Sequence, residues 1–336
     1  MRALYFENAS KPLELREMPD PEPGEGEMVL KVHQCGICGS DVHLTKEHGF
    51  YPENSIIGHE FSGEVVAVGK GVSGFRTGDR VTALAAAGCG ACEACLQGTP
   101  LFCPNGIKNY AGGFADYIRV SASTSLLLPQ SVSMEDGALV EPLSVGLHGV
   151  ALAKMEPGAK VLVLGAGSIG LAAIHWARKL GAGKIVAMSR SARRAEMAGT
   201  MGADAFVCSG ESEFADVQAA LGGQPDVVFE CVGVTGALQQ SINHVRTNGT
   251  VVSLGFCTKP DGVIPAISTF KQVTLIFSMA YSIDEFRFAL NAFDRGHVEP
   301  RLMVSKTIPL EEVPAMIEKM HKGESTDVKV HARPDL

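Results

Sequence analysis

The sequence predicts an α/β chain in two parts, one β-rich and one a doubly wound parallel sheet, on three observations. The first ~140 residues hold short β-type runs, MVLKVH, EFSGEVVAVG, DRVTAL and FADYIRV, broken by Gly and Pro. From about Gly158, apolar runs alternate with helical stretches instead. A glycine-rich turn, Gly165-Ala166-Gly167-Ser168-Ile169-Gly170, follows the first of those runs and opens a helix.

The second part reads in order as KVLVLG, a helix from 168 to about 180, KIVAMS, a helix around 192–201, AFVCS, DVVFECVG, TVVSLG and VTLIFS. Six apolar runs spaced by helical segments predict six parallel strands covered on both faces. After Tyr281 the series stops. IDEFRFALNAFDRG is amphipathic and ended by Gly296, and MVSKTIPLEEVPAMIEKMHKG reads as helices and a strand. The expected division gives 146–279 to the parallel sheet, with 1–145 and 280–336 forming the other domain.

Composition bounds the function. The chain has 336 residues, 46% of them hydrophobic, which suits a core-forming protein of about two domains. A net charge of −8 with a pI near 5.7 argues against nucleic acid as partner. No apolar run reaches the ~18 residues of a membrane span. The opening MRALYFENASKPLEL lacks a basic stretch followed by an apolar one, so no secretory leader is expected and a cytoplasmic location is.

The turn at 165–170 has a physical logic. Gly165 makes the tight bend, Gly167 lets backbone approach a pyrophosphate, and Gly170 lets the helix pack on the strand. The helix N-terminus adds N–H groups and positive dipole. A dinucleotide site of this kind usually has an acid at the end of its second strand, to hold the adenosine ribose of NAD. Here that strand ends at Ser189, followed by Arg190, Arg193 and Arg194. A hydroxyl and guanidinium groups suit a 2′-phosphate, so NADP(H) is favoured over NAD(H). The bland alternative is that these arginines only solvate a helix start.

Nine cysteines fall unevenly. Cys89, Cys92, Cys95 and Cys103 have the close spacing of a closed tetrathiolate zinc site. Cys38 in CGICGSDVH and His59-Glu60 in IIGHEFSG form a dispersed set of thiolate, imidazole and carboxylate. Mixed sets with a free position are typical of catalytic zinc. Cys35 with Cys38 also has the C-x-x-C spacing of redox pairs, but no βαβ unit surrounds it.

Together these residues resemble a family. CGICGSDVH, GHEFSGEVVAVG, GDRV, the four-cysteine segment, EPLSVGLHG and VLVLGAGSIG occur in the order of the zinc-dependent medium-chain alcohol dehydrogenases. The likeness is greatest to their polyol branch, of sorbitol, butanediol and threonine dehydrogenases, because Glu141 stands where simple alcohol dehydrogenases have cysteine. The resemblance implies a GroES-like catalytic domain and a Rossmann domain, with two zinc ions per chain. Cys38, His59 and Glu60 would hold the catalytic zinc, with Glu141 as fourth ligand or as holder of its water. Cys89, Cys92, Cys95 and Cys103 would hold the structural zinc, and Cys35 would be a packed thiol. Gly165, Gly167, Ser168, Ile169 and Gly170 would carry the pyrophosphate, and Ser189, Arg190 and Arg194 the adenosine ribose. Cys231, Val232, Leu254, Gly255, Phe256, Phe277, Ser278 and Met279 would line the remainder of the cofactor.

By the same likeness, Ser40 could relay the alcohol proton to His43 near solvent. Asp41 reads as a helix N-cap or buried salt-bridge partner. The implied activity is hydride transfer between NADP(H) and a secondary alcohol, diol, ketone or aldehyde. The rivals are a lyase on the same fold and an NADPH-binding protein without catalysis. If Leu44, Phe50, Tyr51, Tyr110 and residues 279–281 line the cleft, their apolar mix suits a small diol or hydrophobic ketone better than a hexitol. A homodimer or homotetramer is expected, through pairing of the apolar last strands.

Overall fold

The computed structural model describes residues 1–49 and 51–336, with only the backbone of Leu44. The chain forms two compact units, one of Met1–Glu141 with Ser282–Leu336 and one of Pro142–Tyr281.

In the first unit, a seven-stranded, largely antiparallel sheet runs in the order Ser125–Leu127, Arg80–Ala83, Glu60–Val68, Glu27–Gly36, Lys329–Arg333, Val304–Pro309. Tyr117–Ser121 pairs with Glu27–Gly36 off this path. The C-terminal strand thus returns to the middle of the sheet, where His331 lies opposite Gly36 and Gly36 opposite Glu60. Leu4, Met28, Leu30, Phe61, Phe114, Leu310 and Val330 are among the side chains of its core. The amphipathic stretch after Tyr281 forms the helix Ile283–Asp294. Ser282 Oγ caps it by accepting the Glu285 N–H at 3.1 Å, and Glu285 Oε2 accepts the Ser282 N–H at 2.7 Å in return.

In the second unit, the expected six parallel strands are present in the order Ala205–Cys208, Lys184–Ser189, Lys160–Leu164, Val227–Glu230, Thr250–Ser253, Thr274–Phe277. The order doubles back on either side of Lys160–Leu164, and in such sheets ligands bind at the carboxyl ends of the strands near that reversal. At those ends Leu164, Glu230, Ser253 and Phe277 stand in one row of the ladder. The interiors of the four central strands are apolar and buried, as in sheets covered on both faces, while Ala205–Cys208 and Thr274–Phe277 at the two edges are partly exposed. Among the described residues no helix is long and apolar enough to cross a membrane.

Candidate functional site

The four-cysteine segment is a lobe built on sulfur. The sulfurs of Cys89, Cys92, Cys95 and Cys103 all lie within 4.8 Å of one another, and all four are free thiols. Glycine at 88 is required, since a Cβ there would stand 2.4 Å from Cys95 Sγ. Donors already point at the sulfurs: the Cys89 N–H at 3.3 Å from Cys103 Sγ, and Asn105 Nδ2 at 3.3 Å from Cys89 Sγ. Asn105, then the backbone amides of Ala91 and Cys92, bring the Cys89 thiol down to about 6. This donor set fits a soft cation held as thiolates.

The second cluster brings together Cys38, His59 and Glu60, whose ligand atoms also lie within 4.8 Å of one another. Sheet register explains the meeting. Glu27–Gly36 ends just before Cys38, and Glu60 opens its neighbour opposite Gly36. Gly36 has no alternative, because a Cβ there would lie 2.1 Å from Glu60 Oε2. Cys38 sits at the N-cap of the helix Gly39–Leu44.

Glu60 has a partner that sequence reasoning missed. Lys329 Nζ donates to both its carboxylate oxygens at 2.6 Å and to the Ile37 carbonyl at 3.1 Å, with both side chains fully buried. Burial works against each charge, but each partner's field outweighs it, so the Glu60 carboxyl is lowered and the Lys329 ammonium raised. The strand KVHAR, with three basic residues in five, carries no local signal that Lys329 is buried. Two strand positions on, His331 is fully buried with no partner for either ring nitrogen among the described residues, and burial brings it down to about 4.

Asp41 is the hub behind His59. Of the two roles the sequence offers it, N-cap or buried charge partner, it takes the second. Cys38 takes the N-cap, and Asp41, three residues on, accepts the Cys38 N–H at 2.9 Å. Its other oxygen accepts the Tyr51 hydroxyl at 2.7 Å and stands 3.6 Å from His59 Nδ1. Burial works against the His59 charge, but Asp41 and then Cys38 outweigh it and hold the imidazole well above its ordinary value. Burial and Asp41 push the Tyr51 phenol well up, so it remains a donor. Tyr51 therefore turns its hydroxyl to Asp41 rather than merely walling a cleft, and Tyr110 turns its own to Glu27 at 2.8 Å. Phe50 and the Leu44 side chain lie outside the described residues.

Glu141, on the helix Met134–Leu152, is not part of the 4.8 Å cluster, yet its charge acts on both His59 and Lys329. Ser40 is half-buried and His43 exposed on the helix Gly39–Leu44. The His43 ring meets His321 edge-on at 6.3 Å, and desolvation followed by that neighbour lowers its pKa.

In the second unit, the turn after Lys160–Leu164 is a bare backbone cradle. Gly165 has φ +91°, and a Cβ there would meet Val232 Cγ2 at 2.9 Å. A Cβ on Gly170 would lie 1.8 Å from the Gly165 carbonyl oxygen. Gly167 caps the helix Ser168–Lys179 and leaves its mouth open, since a Cβ there would meet only Arg194 Nη1, at 3.8 Å. Arg194 Nη1 donates to the Ala166 carbonyl at 2.9 Å, which puts a guanidinium at the lip of the cradle. Ser189 is half-buried at its strand end and Arg190 exposed. Arg193 turns back to Ser191 Oγ at 3.2 Å.

The far side of the cradle is organised by Glu230, a second residue missed at the sequence level. Its Oε1 accepts the N–H groups of Val232 and Gly233 at 2.7 and 2.8 Å, and Oε2 accepts Ser253 Oγ at 3.0 Å. Those bonds fix the loops that carry Cys231, Val232, Leu254 and Gly255. Phe256, Phe277 and Met279 are exposed, and Ser278 Oγ is a buried hydroxyl without a partner among the described residues. An open cradle and an orphaned hydroxyl fit a polar cofactor lying across these strand ends.

Comparisons with known proteins agree with this geometry. Residues 24–130 match the alcohol dehydrogenase GroES-like domain and residues 168–295 the zinc-binding dehydrogenase domain. Sorbitol dehydrogenase of Gallus gallus is 33% identical over 339 residues, covering 96% of this chain and 94% of that protein. A zinc-binding dehydrogenase from Sinorhizobium meliloti, solved with NADP, superposes with a TM-score of 0.87 at 31% identity over 99% of both chains. An alcohol dehydrogenase from Escherichia coli, solved with NADH, does so with a TM-score of 0.88 at 26% identity over 99% of both chains.

Proposed function

The chain belongs to the zinc-dependent medium-chain dehydrogenases, related to the sorbitol dehydrogenases, and from that premise we propose that it interconverts a small secondary alcohol or diol and its ketone with NADP(H). It is an oxidoreductase of the NAD(P)-dependent alcohol dehydrogenase type. The observation that carries the proposal is the gathering of Cys38, His59 and Glu60, a thiolate, an imidazole and a carboxylate within 4.8 Å.

Cys38, His59 and Glu60 would hold the catalytic zinc, with Glu141 as fourth ligand or as holder of its water, and Cys89, Cys92, Cys95 and Cys103 the structural one. Bound there, zinc supplies a Lewis acid to the substrate oxygen. The chain's own residues do the rest. Ser40 Oγ takes the alcohol proton and hands it toward the exposed His43 imidazole. Lys329 Nζ keeps the Glu60 carboxylate charged and oriented. The bare turn from Gly165 to Gly170 and the helix N-terminus bind the pyrophosphate, and Glu230 orients the loops beside it.

The preference for NADP(H) rests on Ser189 in place of an acid and on Arg194 at the cradle's lip. Arg194→Ala is expected to raise KM for NADPH by about 10- to 100-fold and change that for NADH by less than about 3-fold, since a charge-assisted fork to phosphate is lost. The test is optical: oxidation of NADPH and NADH against ketones, diketones, aldehydes and keto-sugars. Faster turnover with NADH would overturn the cofactor assignment, and no turnover from protein holding two zinc ions would overturn the dehydrogenase.

The same reading makes the chain a homodimer or homotetramer. Thr274–Phe277 is an edge strand paired on one side with Thr250–Ser253, and Phe270, Phe277 and Met279 near it are 87, 67 and 61% exposed. An exposed apolar edge of this kind is completed by a second copy across a two-fold axis. Sedimentation is expected to give twice the chain mass or a multiple of it; a monomer at micromolar concentration would refute this.

A further inference from the structure

We infer that Tyr51 is a positioning residue for the catalytic metal, acting through Asp41 on His59. The inference rests on the reading of Cys38, His59 and Glu60 as metal ligands. Its basis is the geometry of three side chains. His59 Nδ1 and Asp41 Oδ1 are 3.6 Å apart, beyond a hydrogen bond. The Tyr51 hydroxyl occupies that same carboxylate oxygen at 2.7 Å and lies 3.5 Å from His59 Nδ1.

The carboxylate is thus shared. Its Oδ2 holds the backbone N–H of Cys38, and its Oδ1 faces both the phenol and the imidazole of His59. With Nδ1 turned this way, Nε2 is the nitrogen left for a metal. The partners of a metal-ligating histidine set its tautomer, ring orientation and donor strength. Here that partner is a carboxylate whose charge is partly spent on a phenol. Tyr51 also has a seat of its own, its ring meeting Phe6 edge-on at 6.1 Å, so the hydroxyl is delivered from a packed side chain. The phenol comes from the loop before Gly58, in the stretch GFYPENSII, which carries no ligand pattern of its own.

Tyr51→Phe removes the hydroxyl and leaves the ring against Phe6. The experiment loads wild type and variant with Co²⁺, which reports the two sites separately, because four thiolates give intense charge-transfer bands and a mixed site weaker ligand-field bands. Expected for the variant are shifted ligand-field bands and roughly 10-fold weaker Co²⁺ retention against a chelator at the mixed site. The tetrathiolate bands serve as an internal reference and remain unchanged. Unshifted bands and unchanged retention, with two cobalt ions per chain, would overturn the role of Tyr51 alone. A wild type that takes cobalt only at the four cysteines would overturn the metal reading and this inference with it.

Discussion

Replacing Lys329 with methionine is expected to cost the metal-free protein about 3–5 kcal/mol of folding stability at neutral pH. The pair it forms with Glu60 is fully buried, with both carboxylate oxygens 2.6 Å from Nζ. Desolvating two ions is offset only while both are present, so removing one leaves a bare carboxylate in the sheet. The pH dependence follows. In the wild type the Glu60 pKa is lowered, so its stabilisation is present above the unfolded value and lost as pH falls through the folded one. In the variant, burial raises the Glu60 pKa instead, so the deficit shrinks as acid protonates it in both states. Lys329→Met with Glu60→Gln removes both charges and is expected to regain more than half the loss. Urea unfolding followed by circular dichroism measures this. The lone tryptophan, Trp176, belongs to the other unit and serves as a local control. A loss under about 1 kcal/mol, or a double variant no better than the single one, would refute the argument.

What was legible in the sequence was what is local. The four cysteines lie within fifteen positions, and the cradle is a strand, a turn and a helix in succession, so spacing alone describes both. Cys38 and His59 are 21 positions apart, so residue type suggested a mixed set, and the family resemblance was needed to assign them to one ion. Lys329 is 269 positions from Glu60, brought there by two registers, His331 on Gly36 and Gly36 on Glu60, which no local pattern encodes. Tyr51 was legible as an apolar ring but not as a donor, because its hydroxyl partner depends on the path of the loop. Of the two roles open to Asp41, the buried charge partner is the one it takes, 3.6 Å from His59 Nδ1, while the N-cap falls to Cys38, which three residues before an acid fits the reciprocal half of a capping box. Glu230 could have been suspected as an acid closing an apolar strand just before a glycine-bearing loop.

Cys103→Ser, or removal of metal by a chelator, is expected to release the lobe between Gly88 and Ile107 and little else. The lobe has almost no core. Its helix Glu93–Leu96 buries no residue, and Leu96 is 75% exposed. A segment with so little apolar burial cannot offset the entropy of ordering its backbone, so the energy must come from metal–sulfur bonds. Amides such as those of Leu96 and Gln97, bonded to Cys92 and Glu93 carbonyls at 2.9 Å, are expected to exchange at least ~100-fold faster without the metal. The loosening should stop at the lobe's base. There Ala86–Ala87 pairs with Lys108–Asn109, and Lys108 and Tyr110 anchor on buried Glu27. Burial pushes the Glu27 carboxyl up, but Lys108, Tyr110, Gly24 and Arg119 outweigh that and hold it at about 2. This anchor stays charged, its stabilisation intact above the unfolded pKa, at any pH where the enzyme would be assayed. Amide exchange read by mass spectrometry is expected to show fast peptides from 89–107 beside unchanged ones from 80–87 and 108–121. Exchange within about 3-fold of wild type throughout would mean that packing, not sulfur, holds the lobe, and protection lost in the flanking strands as well would mean that the metal supports the whole sheet.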